Sequence, residues 1–133
     1  MTRLQLVAAH PLPRFLCVGG ALAAIYAFLT ALATSCLDMP RPLIAALVWL
    51  GLIGPGYWCQ HRFSFRSARA HRFGIWLYAG CQLAGMGIAA LLAWRFAQGR
   101  FWPDLLLFLT ASALSALLSY LVTRLMIFPK SRQ

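Results

Sequence analysis

The side chains that could do chemistry in this chain are dominated by arginine and offer few partners for catalysis. Twelve Lys and Arg residues stand against two acids, Asp38 and Asp104, which gives a net charge of +10. The three histidines, His10, His61 and His71, have no carboxylate nearby in sequence. Nucleophilic catalysis needs a nucleophile beside a base that a third group orients. No such set is visible, so we predict that the protein is not an enzyme.

The four cysteines show no metal or redox pattern. They lie in or beside apolar runs, without a CxxC pair and without a histidine cluster: Cys17, Cys36, Cys59 and Cys81. Metal and redox sites need converging ligands at characteristic spacings. We therefore predict that these cysteines are small buried apolar residues and that the protein has no metal site and no cofactor.

The elements that carry these residues are predicted from four charge-free stretches, which cover residues 15–37, 43–60, 73–94 and 105–123. The chain is 62% hydrophobic and 11% charged, whereas soluble domains average about 25% charged residues. A helix rises about 1.5 Å per residue, so each stretch reaches or approaches the roughly 30 Å hydrocarbon core of a bilayer. Within lipid, only a helix satisfies its backbone groups inside one segment. We predict a single transmembrane domain, residues 1–133, that forms an all-α four-helix bundle.

The first stretch has a rival interpretation as a secretory signal. Arg3 and Arg14 precede it, and Ala33 to Cys36 faintly resembles a cleavage region. However, its charge-free run of 23 residues exceeds the roughly 7–15 residues of a signal core. We therefore favour a membrane span.

The orientation is predicted from the distribution of Lys and Arg between the two sides of the membrane. One side holds nine of them: Arg3, Arg14, Arg62, Arg66, Arg69, Arg72, Arg124, Lys130 and Arg132. The other side holds Arg41, Arg95 and Arg100. Basic residues in short loops favour the cytoplasm. We predict a multi-pass protein of the inner (cytoplasmic) membrane with both termini inside, and its short loops leave no room for a nucleic-acid-binding module.

The two halves of the chain resemble each other, which indicates an internal repeat of residues 14–65 and 72–128. Arg14-Phe15 opens the first half and Arg72-Phe73 opens the second, at an offset of 58. The closing segments start at Tyr57 and Tyr120, at an offset of 63, so the second half has gained about five residues. Each repeat has two helices, so both repeats face the same way, around an axis along the membrane normal.

Small residues recur at every fourth position on three of the spans. The positions are Gly19, Ala23, Ala27 and Ala31, then Gly85, Ala89 and Ala93, and finally Ala111, Ser115 and Ser119. Such spacing allows two helices to approach closely. These positions fit helix packing within one protomer and helix packing between two protomers equally well, and the sequence does not distinguish the two.

The basic side of the membrane holds the strongest candidate for a binding function. Six arginines are predicted to surround one mouth of the bundle: Arg14, Arg62, Arg66, Arg69, Arg72 and Arg124. Arginine binds phosphate through a planar fork, which fits a phosphorylated lipid headgroup. The same cluster also fits positive-inside topology and generic contact with anionic phospholipid.

No ionisable side chain is predicted at mid-membrane depth. Proton- and cation-coupled carriers usually place a carboxylate there, so a small multidrug exporter with a membrane-embedded Glu is disfavoured. Asp38 and Asp104 both fall in predicted outer loops. For each we favour a solvated charge over an ion pair with Arg41, Arg95 or Arg100, because exposed pairs contribute little.

Three segments resemble the GtrA-like family of small four-helix membrane proteins. Residues 13–20, PRFLCVGG, resemble the family's opening, an Arg-Phe followed by a Val-Gly in the first helix. Residues 57–65, YWCQHRFSF, resemble the closing of its second helix, aromatic-x-x-Asn-Arg-x-aromatic-x-Phe, and residues 120–128, YLVTRLMIF, resemble the same closing in the fourth. The family usually has Asn at the positions of Gln60 and Thr123, and His61 replaces the first Arg. These departures bear on headgroup preference.

The resemblance implies a role with polyprenyl-phosphate-linked monosaccharides. Members of the family are thought to flip such a lipid from the cytoplasmic to the outer leaflet. There a membrane glycosyltransferase uses it to decorate O-antigen, teichoic acid or other cell-wall polysaccharides. An alternative role is a non-transporting scaffold that anchors or recruits a polyprenyl-phosphate glycosyltransferase, and a subunit without a lipid substrate stays open as well.

The resemblance, combined with the basic cluster, yields a set of candidate site residues. Phosphate and headgroup binding is predicted for Arg14, Arg62, Arg72, Arg124, Gln60 and Thr123. Lining of a groove for the sugar is predicted for Gln82, Ser119, Tyr57 and Tyr120. Four helices form a thin enclosure for a sugar headgroup, so we favour a homodimer or a complex with a partner protein over a lone protomer.

Overall fold

The four predicted spans lie in four long helices. A computed structural model describes residues 11–63 and 72–127, and its helices are α1 (Pro11–Cys36), α2 (Arg41–Phe63), α3 (Arg72–Phe96) and α4 (Phe101–Ile127). Each contains a segment long and apolar enough to cross a membrane. The predicted all-α membrane four-helix bundle is confirmed. Outside the described residues lie Arg3, His10, Phe65, Arg66, Arg69, His71, Phe128, Lys130 and Arg132.

The helices form a closed ring in which each helix packs on two neighbours. Helices α1 and α3 each contact both α2 and α4, and in the described parts of the chain no contact joins α1 with α3 or α2 with α4. Successive helices run in opposite directions. One end of the ring therefore holds a helix terminus bearing Arg14, Arg62, Arg72 or Arg124, and we name it the arginine end. The opposite end, the loop end, holds the connections 37–40 and 97–100.

The extra residues of the second half lie inside its helices. Both connections at the loop end have four residues, so they do not account for the difference. Helix α3 runs two residues longer from Arg72 to its end than α1 runs from Arg14. Tyr120 lies three residues farther from the start of α4 than Tyr57 lies from the start of α2. Measured from the two connections, the matching motifs at the arginine end are therefore shifted by two residues on α1 and α3 and by three residues on α2 and α4.

The tightly packed core occupies the half of the bundle next to the loop end. Alanines from all four helices are fully buried there, namely Ala27, Ala31, Ala45, Ala89, Ala93 and Ala111. Tyr26 and Phe108 fill the space between them. Between this core and the arginine end, Gly56 is buried, and the other residues whose burial is described are half-buried or exposed. The small-residue positions therefore pack the protomer itself, and they do so in one half of its length.

Gly85 marks the level at which this close packing begins. A Cβ added at Gly85 would overlap the hydroxyl of Ser115 on α4 and would lie 2.6 Å from Cζ2 of Trp49 on α2. The absence of a side chain on α3 thus makes room for an indole from one neighbour and a serine from the other. Such close approach is the usual reason for small residues between membrane helices.

The loop end is closed by the buried carboxylate of Asp104, which lies in the first turn of α4. This residue has no exposed surface. It accepts hydrogen bonds from the backbone N–H of Gln98 (2.9 Å), the N–H of Gly99 (3.0 Å) and the hydroxyl of Thr34 on α1 (3.1 Å). The expectation of a solvated charge is wrong for Asp104, because these donors replace its water. Asp38 is exposed, as expected.

Arg41 holds the same connection from its other side. From the first turn of α2, its guanidinium donates to the carbonyls of Ala97 (2.7 Å) and Gln98 (3.2 Å). Gly99 has a φ of +73°, which favours glycine. A Cβ there would lie 2.9 Å from Nη2 of Arg41. Two carbonyls of the connection 97–100 are therefore bound by Arg41, from the first half of the chain. Two of its amides are bound by Asp104, from the second half.

The predicted burial of the cysteines is wrong for two of the four. Cys17 and Cys36 are exposed, and Cys59 and Cys81 are half-buried. A membrane-spanning chain exposes apolar side chains to lipid at no cost, so an apolar context in sequence does not indicate burial inside the protein. Within the described ranges, no three His, Cys, Asp or Glu side chains cluster as metal ligands.

Replacing Gly85 by alanine is expected to destabilise the bundle by about 1–3 kcal/mol, because the added methyl group overpacks the contact with Trp49 and Ser115. The measurement is the unfolding midpoint of the purified protein in detergent. Gly87→Ala is the matched control, since a Cβ there meets nothing within 4 Å and both changes raise helix propensity alike. Equal midpoints for the two variants would contradict the packing described for Gly85.

Replacing Asp104 by alanine is expected to lower the free energy of unfolding by about 2 kcal/mol or more, because it leaves the N–H groups of Gln98 and Gly99 without their acceptor and removes the bond to Thr34 of α1. The same unfolding measurement checks this value. Asp38→Ala removes an exposed carboxylate and is expected to change stability by no more than about 0.5 kcal/mol. If both variants unfold alike, Asp104 does not close the loop end.

Candidate functional site

The four arginines predicted to bind phosphate are each carried by a different helix. Arg14 lies near the start of α1, Arg62 near the end of α2, Arg72 at the start of α3 and Arg124 near the end of α4. The ring brings these four backbone positions to the same end of the bundle. The alternation of helix direction is thus sufficient to collect four basic residues around one opening.

Of these four arginines, Arg62 is the one whose side chain the structure describes. It is exposed, and its guanidinium carbon lies 5.6 Å from the ring centroid of Trp58, one turn earlier on α2. An arginine over an indole ring gains a cation–π attraction. The side chains of Arg14, Arg72 and Arg124, and those of Gln60 and Thr123, lie outside the described side chains.

A groove opens between α2 and α3 in the half of the bundle next to the arginine end. Its volume is about 530 Å³, and its lining residues are Ile53, Gly54, Tyr57, Tyr78, Ala79, Gln82 and Leu83. The structure thus brings together two of the predicted groove residues, Tyr57 and Gln82. None of the lining side chains is charged.

The amide side chain of Gln82, which lines this groove, is held by a hydrogen bond from a neighbouring indole. The indole N–H of Trp49 donates to Oε1 of Gln82 at 3.0 Å. Because indole nitrogen is a donor only, this bond fixes the orientation of the amide and turns its NH2 group away from Trp49. Tyr78 lines the same groove, one turn before Gln82 on α3. Gln82 therefore serves to hold the wall of the groove in place.

Aromatic rings fill the centre of the bundle on the loop-end side of the groove. Tyr26 of α1 meets Trp49 of α2 edge to face, with ring centroids 4.8 Å apart, and it meets Phe108 of α4 at 6.0 Å. The Tyr26 hydroxyl also donates to the carbonyl of Ala45 at 3.4 Å. The central axis is thus occupied by side chains at this depth.

The other two predicted groove residues lie on a different helix. Ser119 is half-buried and Tyr120 is 50% exposed. Both are on α4, which does not contact α2 in the described parts of the chain. The matching motif positions Tyr57 and Tyr120 therefore do not face a common groove, and a path past Ser119 and Tyr120 stays a prediction.

A second, smaller groove lies between α3 and α4. It has a volume of about 260 Å³, and its lining residues are Trp76, Leu77, Gly80, Cys81, Ala84, Leu118 and Val122. All of them are uncharged. Helix α3 thus has a recess on each side of its half next to the arginine end.

Sequence reasoning missed three residues that shape the α2–α3 groove: Trp49, Gly54 and Tyr78. Tyr78 lies one turn before Gln82, a spacing that places both on one helix face and could have been noticed. Gly54 belongs to the segment Gly54-Pro55-Gly56, which has no counterpart in α4. Proline within a helix removes a backbone hydrogen bond, so this segment indicates irregular packing.

Comparison with known proteins agrees with the resemblance of the three motifs. A family model described as GtrA/DPMS, transmembrane domain, matches residues 14–128. Searches of the curated proteins and of the solved structures each gave no match. The matched range covers most of the 133 residues, and it includes α2, α3 and α4, all but the first three residues of α1, and all four arginines of the arginine end. The chain therefore belongs to the GtrA/DPMS transmembrane-domain family, as a multi-pass membrane protein related to polyprenyl-phosphate sugars.

Proposed function

We propose that the protein translocates a polyprenyl-phosphate-linked monosaccharide from the cytoplasmic to the outer leaflet, without enzymatic activity of its own. The observation that carries this proposal is the contrast between the two ends of the bundle. The arginine end collects four cationic residues beside two open recesses, and the loop end is closed by Asp104 and Arg41. A lipid phosphate is the ligand that fits arginines at a membrane surface.

Capture of the phosphate is the first step of the proposed mechanism. Arg14 and Arg62 belong to the first half of the chain, and Arg72 and Arg124 belong to the second. A phosphate between them is approached from both halves, and planar guanidinium groups bind its oxygens in pairs. Gln60, two residues before Arg62 on α2, and Thr123, immediately before Arg124 on α4, are proposed to contact the headgroup.

Movement of the headgroup is proposed to follow the side of the bundle. Tyr26, Trp49 and Phe108 occupy its centre, whereas the recesses beside α3 open laterally. A lateral path lets the polyprenyl chain stay in the bilayer while only the sugar phosphate crosses. Within the described residues the buried carboxylate is Asp104, engaged by three donors at the loop end. This favours movement down the gradient of the donor lipid, which a glycosyltransferase in the outer leaflet maintains by consumption.

Replacing Arg62 and Arg124 together by alanine is expected to slow translocation about tenfold or more, because each change removes a charge-assisted contact to phosphate. The measurement is movement of a radiolabelled polyprenyl-phosphate hexose between leaflets of liposomes that contain only the purified protein. The matched control replaces Arg95 and Arg100, two exposed arginines next to the loop end, and is expected to retain the wild-type rate.

Two outcomes of this assay would count against the proposal. An unchanged rate in the Arg62/Arg124 variant would remove the arginines from phosphate capture. No movement with folded wild-type protein would reject translocation and leave the scaffold for a polyprenyl-phosphate glycosyltransferase. In that case, co-purification with the glycosyltransferase becomes the property to measure.

The direction of transport depends on the orientation of the chain, for which we propose both termini in the cytoplasm. In a variant without native cysteines, Asp38→Cys is expected to react with a membrane-impermeant maleimide added outside intact spheroplasts. Ser67→Cys, in the basic connection between α2 and α3, is expected to react only after the membrane is permeabilised. The reverse pattern would contradict the proposed orientation and the positive-inside assignment on which it rests.

A further inference from the structure

The α2–α3 groove has the surface of a site for an apolar chain. Ile53, Ala79 and Leu83 line it together with Gly54 and the ring of Tyr57. The amide oxygen of Gln82 already accepts a hydrogen bond from the indole N–H of Trp49, and most of the remaining wall is apolar. A sugar buried here would lose the water around its hydroxyl groups without gaining equivalent hydrogen bonds, and that loss is costly. The groove therefore suits hydrocarbon better than it suits the sugar.

The groove begins one to two helical turns deeper in the membrane than the arginines. Tyr57 precedes Arg62 by five residues on α2, and Tyr78 follows Arg72 by six residues on α3. At about 1.5 Å per residue, these spacings correspond to roughly 8 Å along the helix axes. A lipid whose phosphate lies at the arginine end therefore has the first part of its chain at the level of this groove.

The shape of the groove is irregular at Gly54. A Cβ added there would meet nothing within 4 Å, so the missing side chain leaves open space in the wall of α2. The next residue is Pro55, within the helix, whose missing N–H leaves the carbonyl of Gly51 without its helical partner. On the opposite wall, the ring of Tyr78 lies 5.7 Å from that of Tyr57 at an angle of 60°. The outcome is a wide recess bounded by aromatic rings.

We propose that this groove holds the first isoprene units of the polyprenyl chain, with the methyl branches seated in the recess at Gly54. This inference rests on the proposed function for the identity of the lipid. Inside a bilayer, lipid chains are as apolar as the groove, so hydrophobic transfer gives no preference between them. Selectivity must come from shape and contact. A methyl-branched chain fills a recess that an unbranched acyl chain leaves empty.

The test compares two phosphates with chains of equal main-chain length, farnesyl phosphate (branched) and dodecyl phosphate (unbranched). Their affinities for the purified full-length protein are measured by calorimetric titration in detergent. The wild type is expected to bind farnesyl phosphate about fivefold more tightly, the scale of contacts made by a few methyl groups. Gly54→Leu is expected to abolish this preference by filling the recess, and Gly54→Ala is expected to reduce it.

Gly51→Leu is the matched control. Gly51 is an exposed glycine one turn earlier on α2, does not line the groove, and also has nothing within 4 Å of an added Cβ. It is expected to keep the wild-type preference. Equal binding of the two phosphates by the wild type, or a preference that survives Gly54→Leu, would overturn the proposal. The smaller Gly54→Ala change keeps the test valid if the leucine variant fails to fold.

The outcome is independent of whether the protein translocates lipid. A chain preference that requires Gly54, found in a protein that moves no lipid in liposomes, supports the groove and rejects translocation. Translocation that proceeds at the same rate in the Gly54→Leu variant, without any chain preference, supports translocation and rejects the groove. Loss of binding in the Arg62/Arg124 variant is expected to affect both phosphates equally, since it removes the contact that they share.

Discussion

Close packing of small residues in one half of the bundle is the constraint on which the rest of this structure depends. Helices in lipid gain little from burying apolar surface against each other, so contact, backbone proximity and interhelical polar bonds must hold them. This chain concentrates all three next to the loop end. The alanines of the core allow close approach, Gly85 admits Trp49 and Ser115, and Asp104 joins Thr34 of α1 to the connection between α3 and α4.

The open half follows from the same constraint. Where the small residues no longer face each other, the helices leave recesses beside α3, and bulky side chains such as Trp76 and Leu118 meet lipid or line a groove. The Gly-Pro-Gly segment of α2 adds an irregularity that α4 lacks. The two halves thus share their motifs at the arginine end but differ in the packing of α2 and α4 behind those motifs. The result is one recess on each side of α3 in this half of the bundle.

A closed loop end and an open arginine end have different consequences for a lipid substrate. The backbone positions of all four arginines lie at the arginine end, where we propose that the lipid phosphate binds. Passage beyond the level of Gly85 meets a packed core and, farther on, the bonds of Asp104 and Arg41. These bonds connect the first half of the chain to the second, so any motion of one half relative to the other at the loop end must break them. The described conformation is therefore closed at the loop end and has its recesses in the half next to the arginine end.

The sequence by itself determined the class of the protein, its four helices and its family. These properties depend on residue types summed along the chain: charge-free runs of sufficient length, and motifs that keep their spacing. It also placed Arg14, Arg62, Arg72 and Arg124 at one end, because alternating helix direction is enough for that. Only the tertiary structure decided that Asp104 is buried, that Tyr57 and Tyr120 lie on helices that do not contact each other, and that Trp49 and Tyr78 shape the groove. These facts depend on the rotation of each helix about its axis, and in a chain that is apolar on every face no hydrophobic periodicity reports that rotation.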